Sequence, residues 1–524
     1  MGWDMKIVSV NEAVKFIKSN NTVGISGSGG SGSPEAVLQE ILNRYKKTNS
    51  PKNLTVVAGI SPGNLTYEDV GMNCLAEPGL VGKAICAHLG MGKKFGIAIG
   101  ENQFPAFGIP LGVYTHLLRA IAGKKPGVIT HIGLNTFVDP RIEGARENEK
   151  AKDVDPIVEL VQIGGEEKLF FKSFPIQVAL IKATYSDTKG NLSLEWEPII
   201  GEQFQLAAAA HNSGGIVIAE VEKIVEYGTL KAKDVLIPGR LVDFVVVTKP
   251  DRSKGDYNIP KHVPGLVGKK KIELREIKPV ELNERKICAR RAMLELNKGV
   301  LVNLGVGMPE LVANVLNEEG GISDITLSIE TGITGGVAQS GVTFGVAFNA
   351  DSIIGDADMF DLYDGGMLDC AVLGLAQVDK EGNVNVSKFG KRVTGPGGFI
   401  NITQNTPKII FIGTFTSGGL DVQVNSRGLK IKNEGKAKKF VDKVQQITFS
   451  AKNAIKNKQD ITYVTERAVF KLTPKGVELI EIASNMDLNK DILANMDFKP
   501  IISKTLKRMD KKIFLPKKMG YELK

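Results

Sequence analysis

Hydrophobic positions along this chain fall into two alternating patterns. Uninterrupted apolar runs recur as TVGIS, LTVVAGI, QVALIKATY and GIVIAEV in the first half, and as VLVNL, DITLSI, CAVLGLAQV and KIIFIGTF in the second. Runs of about four to eight residues, apolar at consecutive positions, read as strands buried on both faces. Between them lie segments of helical period, among them NEAVKFIKSN, AVLQEILNRYKK, ARRAMLELNKG and LVANVLNEEG. Strands alternating with helices predict mainly parallel sheets covered by helices, an α/β protein. From Gln423 to Leu472 shorter pieces, QQITFS and ITYVTERAVFKL, predict an antiparallel edge or subsidiary layer.

The order of elements is written twice. A strand at 22–26 is followed by Gly27-Ser28-Gly29-Gly30-Ser31-Gly32, by Pro34-Glu35 and by a helix; a strand at 300–304 is followed by Gly305-Val306-Gly307-Met308, by Pro309-Glu310 and by a helix. Proline suits the first helical position and a carboxylate suits the positive end of the helix dipole. A second correspondence follows in the same order: 179–193 and 371–387 each carry an apolar strand into an Asp-x-x-Gly-Asn turn. Two matches in one order predict two related open-sheet halves. The halves are expected at 1–248 and 284–524. A polar, Pro- and Lys-rich linker is expected at 249–283, with the boundary near Pro279. From about Asp487 the second half is expected to end in a helix and an extended basic tail packing back on the body.

Composition narrows the function classes. At 524 residues the chain is too long for one ordinary domain. The net charge of +9 comes from scattered residues and favours anionic ligands only in a general way. Basic residues are not interleaved with aromatics, which make up 6% of the chain, so no nucleic-acid partner is expected. No window approaches the ~18 apolar residues of a membrane span, and no leader-like run follows the N-terminus, so a cytoplasmic protein without a membrane partner is expected. Cys74, Cys86, Cys288 and Cys370 form no CxxC pair, and the five histidines lack ligand spacing. No metal site and no bound cofactor are expected.

The most suggestive stretch is ITLSIETGITGGV. DITLSIE reads as a short buried strand that breaks at Glu330 into Thr331-Gly332-Ile333-Thr334-Gly335-Gly336. A carboxylate at the C-terminal end of a strand lies where open α/β sheets place their chemistry, and glycines allow a ligand close to the backbone. Read alone, the segment is equally a solvated strand end with a turn. The loop from Gly27 to Gly32 could be taken as a dinucleotide fingerprint, but no acidic residue closes a second strand at the expected distance and no phosphate-loop GxxxxGK[ST] exists.

Taken in order, NLGVGMPE, SIETGITGGV, LYDGGMLDCAVLGLAQVDKEGNVNVSKFG and GPGGFINI resemble the β-type half of the family I CoA-transferases. GSGGSGSPE, THIGLNTFVDPR and IPGRLVDFVVV in the first half resemble the α-type half. The fused order is similar to that of bacterial acetate and short-chain acyl-CoA:carboxylate transferases, and the resemblance covers nearly the whole chain. It implies a glutamate nucleophile, carried onto Glu330 of SIETG. It also implies ping-pong transfer of CoA from a short-chain acyl-CoA to acetate or another small carboxylate through a glutamyl-CoA thioester. Coenzyme A is then a substrate, and a homo-oligomer, dimer or tetramer, is expected. Such a mechanism needs donors for its oxyanions. Backbone N–H groups of Gly305, Val306, Gly307 and Met308, and of Gly397 and Gly398 in GPGGF, are the candidates for this and for CoA binding, with Gly29 and Gly30 completing an acyl pocket. Glu310 needs no role beyond a helix start, and Asp364 and Asp369 read as turn and strand-end residues. Some relatives carry Ser-Glu-Asn-Gly at the nucleophile, whereas Ile329 and Thr331 flank Glu330 here. Two other readings compete: hydrolysis of the thioester by water, and a nucleotide- or sugar-phosphate-binding regulator without covalent chemistry.

Overall fold

The structure, a computed structural model, describes residues 5–64, 69–248, 262–273, 279–339, 343–425 and 428–524. Most of the expected linker, at 249–261 and 274–278, lies outside the described residues. The chain forms two units. One comprises residues 1–272, 330–361 and 387–401, the other residues 273–329, 362–386 and 402–524.

The first unit is built on an eight-stranded sheet in which every pair is parallel. Its order is Lys6–Ile7, Phe244–Val247, Ile216–Val221, Val178–Lys182, Thr22–Ile25, Leu54–Ile60, Val81–His88 and Ala106–Gly108. The central strands are buried throughout, as in Val178–Lys182, which is why they lack polar alternation. Helix Glu35–Thr48 packs Val37, Leu38 and Ile41 into the core beneath the sheet. Strand order reverses between Thr22–Ile25 and Val178–Lys182, and the glycine loop leaves the first of these strands at that switch point. Open sheets leave a crevice there.

The second unit repeats the plan. Its sheet runs Thr326–Ile329, Leu301–Leu304, Cys370–Gly374, Lys408–Ile412, Asp460–Val464, Ala468–Thr473, Gly476–Ile482 and Ile501–Arg508. The first five strands are parallel. The next two turn back antiparallel, as expected for ITYVTERAVFKL. Gly305 again leaves a strand at the switch point, donating its N–H to Val372 O at 2.9 Å, and helix Glu310–Glu319 follows.

The Asp-x-x-Gly-Asn turns are the same device in both units. Asp187 Oδ1 accepts the N–H groups of Lys189 and Asn191, and its Oδ2 accepts from Asn191 Nδ2. Asp379 makes the same set with Glu381 and Asn383. Gly190 and Gly382 take φ of 82° and 95° at the corner, a conformation that glycine adopts without strain.

Three local expectations change. The helix expected at 289–299 is Glu284–Met293, because Asn283 caps it by accepting the N–H groups of Arg285 and Lys286. QQITFS is irregular apart from a single bridge between Val384 and Phe449. The C-terminal segment forms short turns over Leu488–Asn495, and then Ile501–Arg508 adds a strand parallel to Gly476–Ile482. Beyond it the tail is pinned by Arg290, 1% exposed, whose guanidinium donates to the carbonyls of Ile513, Leu515 and Lys517. No described helix is long and apolar enough to cross a membrane.

Candidate functional site

Strand Thr326–Ile329 buries Leu327, Ser328 and Ile329, and the chain passes directly into Glu330. Behind Glu330 the backbone folds into two short antiparallel pairs, Ile333–Thr334 with Ser352–Ile353 and Val337–Ala338 with Ala347–Phe348. Gly332, at φ 95°, allows this. A Cβ there would collide with the carbonyl of Ile354, whose own N–H donates to Gly332 O at 2.9 Å. The buried Thr331 hydroxyl donates to Gly345 O at 2.6 Å and ties the far loop to the residue next to Glu330.

Segment 387–401 supplies the other wall. Gly397 N–H donates to Ala87 O and Leu111 N–H donates to Gly397 O, both at 2.9 Å. Gly112 N–H donates to Asn401 Oδ1 at 3.1 Å. These bonds hold GPGGF against the end of strand Val81–His88 and the start of helix Leu111–Ala122. Gly398 is thereby set on Glu330: its N–H donates to the carboxylate, and a Cβ at 398 would fall on Oε2, with Phe360 Cζ at 3.1 Å. The His88 ring covers Gly397. Burial, reinforced by the charge of Arg392, holds its imidazole down at about 4, so it is neutral around pH 7.

Two further carboxyls complete the cluster. Glu202 and Asp356 are 2% and 1% exposed. Each begins a helix, Gln203–Asn212 and Asp356–Asp364. The Asp356 N–H donates to Gly201 O at 3.4 Å, bringing the two helix starts together. Glu202 Oε1 and Asp356 Oδ1 have no hydrogen-bond partner among the described residues. Burial pushes Glu330 up to about 7 against the pull of the Gly398 N–H. Glu330 keeps some solvent exposure, and water screening offsets part of that rise. Burial also pushes Glu202 up to about 7. Asp356 is raised well above the carboxylate range by burial first, then by the charges of Glu202 and Glu330. Among the described residues no lysine or arginine acts on any of the three.

The expected residues therefore divide. Gly398, with Gly397 beside it, meets Glu330. Gly29 and Gly30 form the corner of a turn in which Ser28 and Ser31 exchange N–H···O bonds of 2.8 and 3.0 Å. Ser26 clamps this loop, its hydroxyl donating to Gly32 O and accepting the Lys182 N–H, both at 3.1 Å. A Cβ at Gly32 would lie 3.2 Å from Nε2 of Gln203, so the loop reaches the residue after Glu202. Gly305, Val306, Gly307 and Met308 lie in the other unit, where Gly307 N–H donates to Glu310 Oε1 at 2.9 Å.

Sequence reasoning missed Glu202 and Asp356, although a signal exists. Ile-Ile-Gly-acid occurs twice, at 199–202 and 353–356. In both places the acid after two isoleucines and a glycine is a buried carboxyl at a helix start. Among the described residues no group of three or more His, Cys, Asp or Glu could hold a metal ion.

Comparison with known proteins fits this geometry. Residues 7–248 match the family model described as Coenzyme A transferase. The caffeate CoA-transferase of Acetobacterium woodii is 46% identical over 522 residues, covering 99% of both chains. Acetate CoA-transferase YdiF of Escherichia coli (strain K12) is 40% identical over 524 residues, covering 99% of this chain and 96% of that protein. The crystal structure of the acyl-CoA transferase YdiF from E. coli O157:H7, in a thioester complex with CoA, has a TM-score of 0.92 at 38% identity. It covers 99% of this chain and 98% of that one.

Proposed function

This chain belongs to the coenzyme A transferase family, and from that premise we propose that it moves CoA from a short-chain acyl-CoA to acetate or another small carboxylate, with Glu330 as the nucleophile. The observation that carries the reading is the placement of Glu330: a carboxylate at a strand end, against the Gly398 N–H, with no cation acting on it. A carboxylate paired with lysine or arginine would be stabilised as an ion and a poorer nucleophile; here the surroundings keep it basic.

In the first half-reaction a Glu330 oxygen attacks the thioester carbonyl, the C–S bond of the tetrahedral adduct breaks, and CoA leaves as thiolate, which produces an acyl-glutamyl anhydride. The thiolate then attacks the glutamyl carbonyl of the anhydride and expels the original carboxylate, leaving a glutamyl-CoA thioester. An incoming carboxylate reverses the sequence. Protons balance without a general base, because nucleophile and leaving groups are anions throughout. Burial raises Glu330 toward about 7 and its solvent exposure offsets part of that rise, so a substantial share of the protein carries the ionised nucleophile at neutral pH. Remote binding of the CoA chain supplies energy that a weak nucleophile lacks, and the covalent route gives ping-pong kinetics.

The names of the relatives divide the acceptor question between acetate and the larger, aromatic caffeate. The test is incubation with acetyl-CoA, borohydride reduction, and peptide mapping, with Glu330→Ala as control, followed by discharge with acetate or with caffeate. Modification at Glu330 that a carboxylate discharges is the expected result. An unmodified protein with an active Glu330→Ala variant refutes the mechanism. Discharge by water as fast as by either carboxylate would favour a hydrolase.

A further inference from the structure

Glu202 and Asp356 have no part in the transfer chemistry set out above, yet they are among the most deeply buried acids of their unit. Two carboxyls in contact with protein on all sides cannot both ionise without a cation, because removing a charge from water costs several kcal/mol even after relaxation. The groups that face them offer no cation. Helix Leu111–Ala122 presents the buried Tyr114 hydroxyl, whose ionisation both acids oppose together with Cys86. Glu330 presents a further carboxylate to Asp356. The cations on that helix are spent elsewhere: Arg119 pairs with Asp358 and Asp361, and His116 Nε2 lies 2.9 Å from Asp361 and 3.2 Å from Ala357 O. One oxygen on each acid, Glu202 Oε1 and Asp356 Oδ1, is buried and unpartnered among the described residues, and the Asp356 N–H to Gly201 O bond joins the backbones that carry them. A single proton shared between the acids would satisfy both.

We propose that Glu202 and Asp356 are positioning residues for Glu330: a buried carboxyl pair that shares one proton, joins the Gly201 turn to the start of helix Asp356–Asp364, and holds one negative charge beside the nucleophile. Two consequences follow for the reaction. The fixed charge makes the Glu330 carboxylate more basic, and so a stronger nucleophile, than an isolated one. Acylation then removes the negative charge of Glu330 and relieves its repulsion with the pair, favouring the covalent state over the free carboxylate. The same pair abuts Gln203, which touches the glycine loop at Gly32, so its hydrogen bond also sets one edge of that loop.

The inference rests on the role proposed for Glu330, and the test separates the two. The acid limb of kcat/KM against pH reports the ionisation of the free nucleophile. In Glu202→Gln/Asp356→Asn the shape and the hydrogen bond survive as an amide pair while the charge is lost. The limb is expected to move down by about one pH unit, a tenfold change in proton concentration, with kcat lowered at high pH. The swapped pair Glu202→Asp/Asp356→Glu is expected to return the limb to its original place. A limb that stays put in the amide pair, or a loss of equal size at every pH, overturns the proposal, since a merely structural role would give that outcome. Infrared spectroscopy provides a readout that does not pass through activity. In Glu330→Gln at about pH 8, where ordinary carboxyls are ionised, a protonated-acid C=O band that Asp356→Asn removes is expected. Its absence overturns the proposal even if the amide pair fails to fold. The band in Glu330→Gln together with a wild-type protein that has no transferase activity would instead refute the function and leave the shared proton standing.

Discussion

Replacing Gly398 by alanine adds one methyl group at the point where the nucleophile rests on the backbone. The φ of Gly398 lies outside the left-handed region, so alanine meets no backbone strain and the effect is steric. The new Cβ would occupy the place of Glu330 Oε2 and lie 3.1 Å from both Glu330 Cδ and Phe360 Cζ. Phe360 is fully buried and cannot retreat. Glu330 keeps some exposure, so the carboxylate is the group that moves, by about 1 Å or more. A misplacement of that size costs about 100-fold in rate, or about 2.7 kcal/mol of barrier. Global stability should fall by less than the ~1–3 kcal/mol of an overpacked core, because the displaced group can turn toward solvent. The assay is kcat for CoA transfer together with the yield of borohydride-trapped Glu330 and a thermal melt. A rate within about twofold of wild type, with trapping intact, would show that the contact between Gly398 and Glu330 is not part of the working site and would refute the steric reasoning.

Other outcomes follow from the same structure. Glu330→Gln should melt higher than wild type at about pH 8 and equally at about pH 4. Burial raises the folded carboxyl from 4.5 to about 7, so the folded state holds a proton that the unfolded chain has lost, and wild-type stability falls as pH rises through that window. The 2.5-unit rise corresponds to about 3 kcal/mol, reduced to about 2 by residual solvent exposure. Asp187→Ala, which orphans the N–H groups of Lys189 and Asn191 and the Asn191 side chain, should cost about 2–3 kcal/mol in urea unfolding, and Asp379→Ala a similar amount. Thr331→Val keeps the shape but loses the bond to Gly345 O; a loss of about 1–2 kcal/mol is expected, with raised KM if the loop it holds borders the acyl group.

What could be read from the sequence was what a short window determines. The parallel strands announced themselves because burial on both faces removes polar alternation, as in Val178–Lys182. The duplicated plan was legible because its markers are local: a proline before each helix, and an aspartate that folds five residues around its own carboxylate. Glu330 stood out because a strand end followed by glycines is a local pattern too. Helix Glu284–Met293 was placed about five residues late because its start depends on Asn283 as a cap, while the apolar period alone points further on. Strand Ile501–Arg508 was read as a tail because its partner, Gly476–Ile482, offers an edge that exists only once the sheet has formed.

The chemistry around Glu330 depends on something no window contains. Glu330, Asp356 and Glu202 come from three separate stretches, and Gly398 from a fourth. Each stretch on its own has an ordinary explanation: Glu202 and Asp356 stand at helix starts, where a carboxylate is favoured by the dipole and usually solvated. The two Ile-Ile-Gly segments change that. Ile199 is 3% exposed while Ile200, Ile353 and Ile354 are half-buried, and glycine lets the backbones approach until the Asp356 N–H reaches Gly201 O. The acid that follows each segment is buried, and with no arginine or lysine among the described residues acting on it, burial opposes its ionisation. On the proposal above its partner then holds the single charge of the pair, beside a Glu330 that burial already makes reluctant to ionise. The basicity of Glu330 thus comes first from its own burial and, on the proposal above, from the pair beside it as well; substituting Ile199 or Ile353 by threonine should loosen the pair and lower the acid limb without touching any ionisable group. A limb unmoved by both substitutions, in proteins that still fold, would place the origin of the reactivity in Glu330 and Gly398 alone.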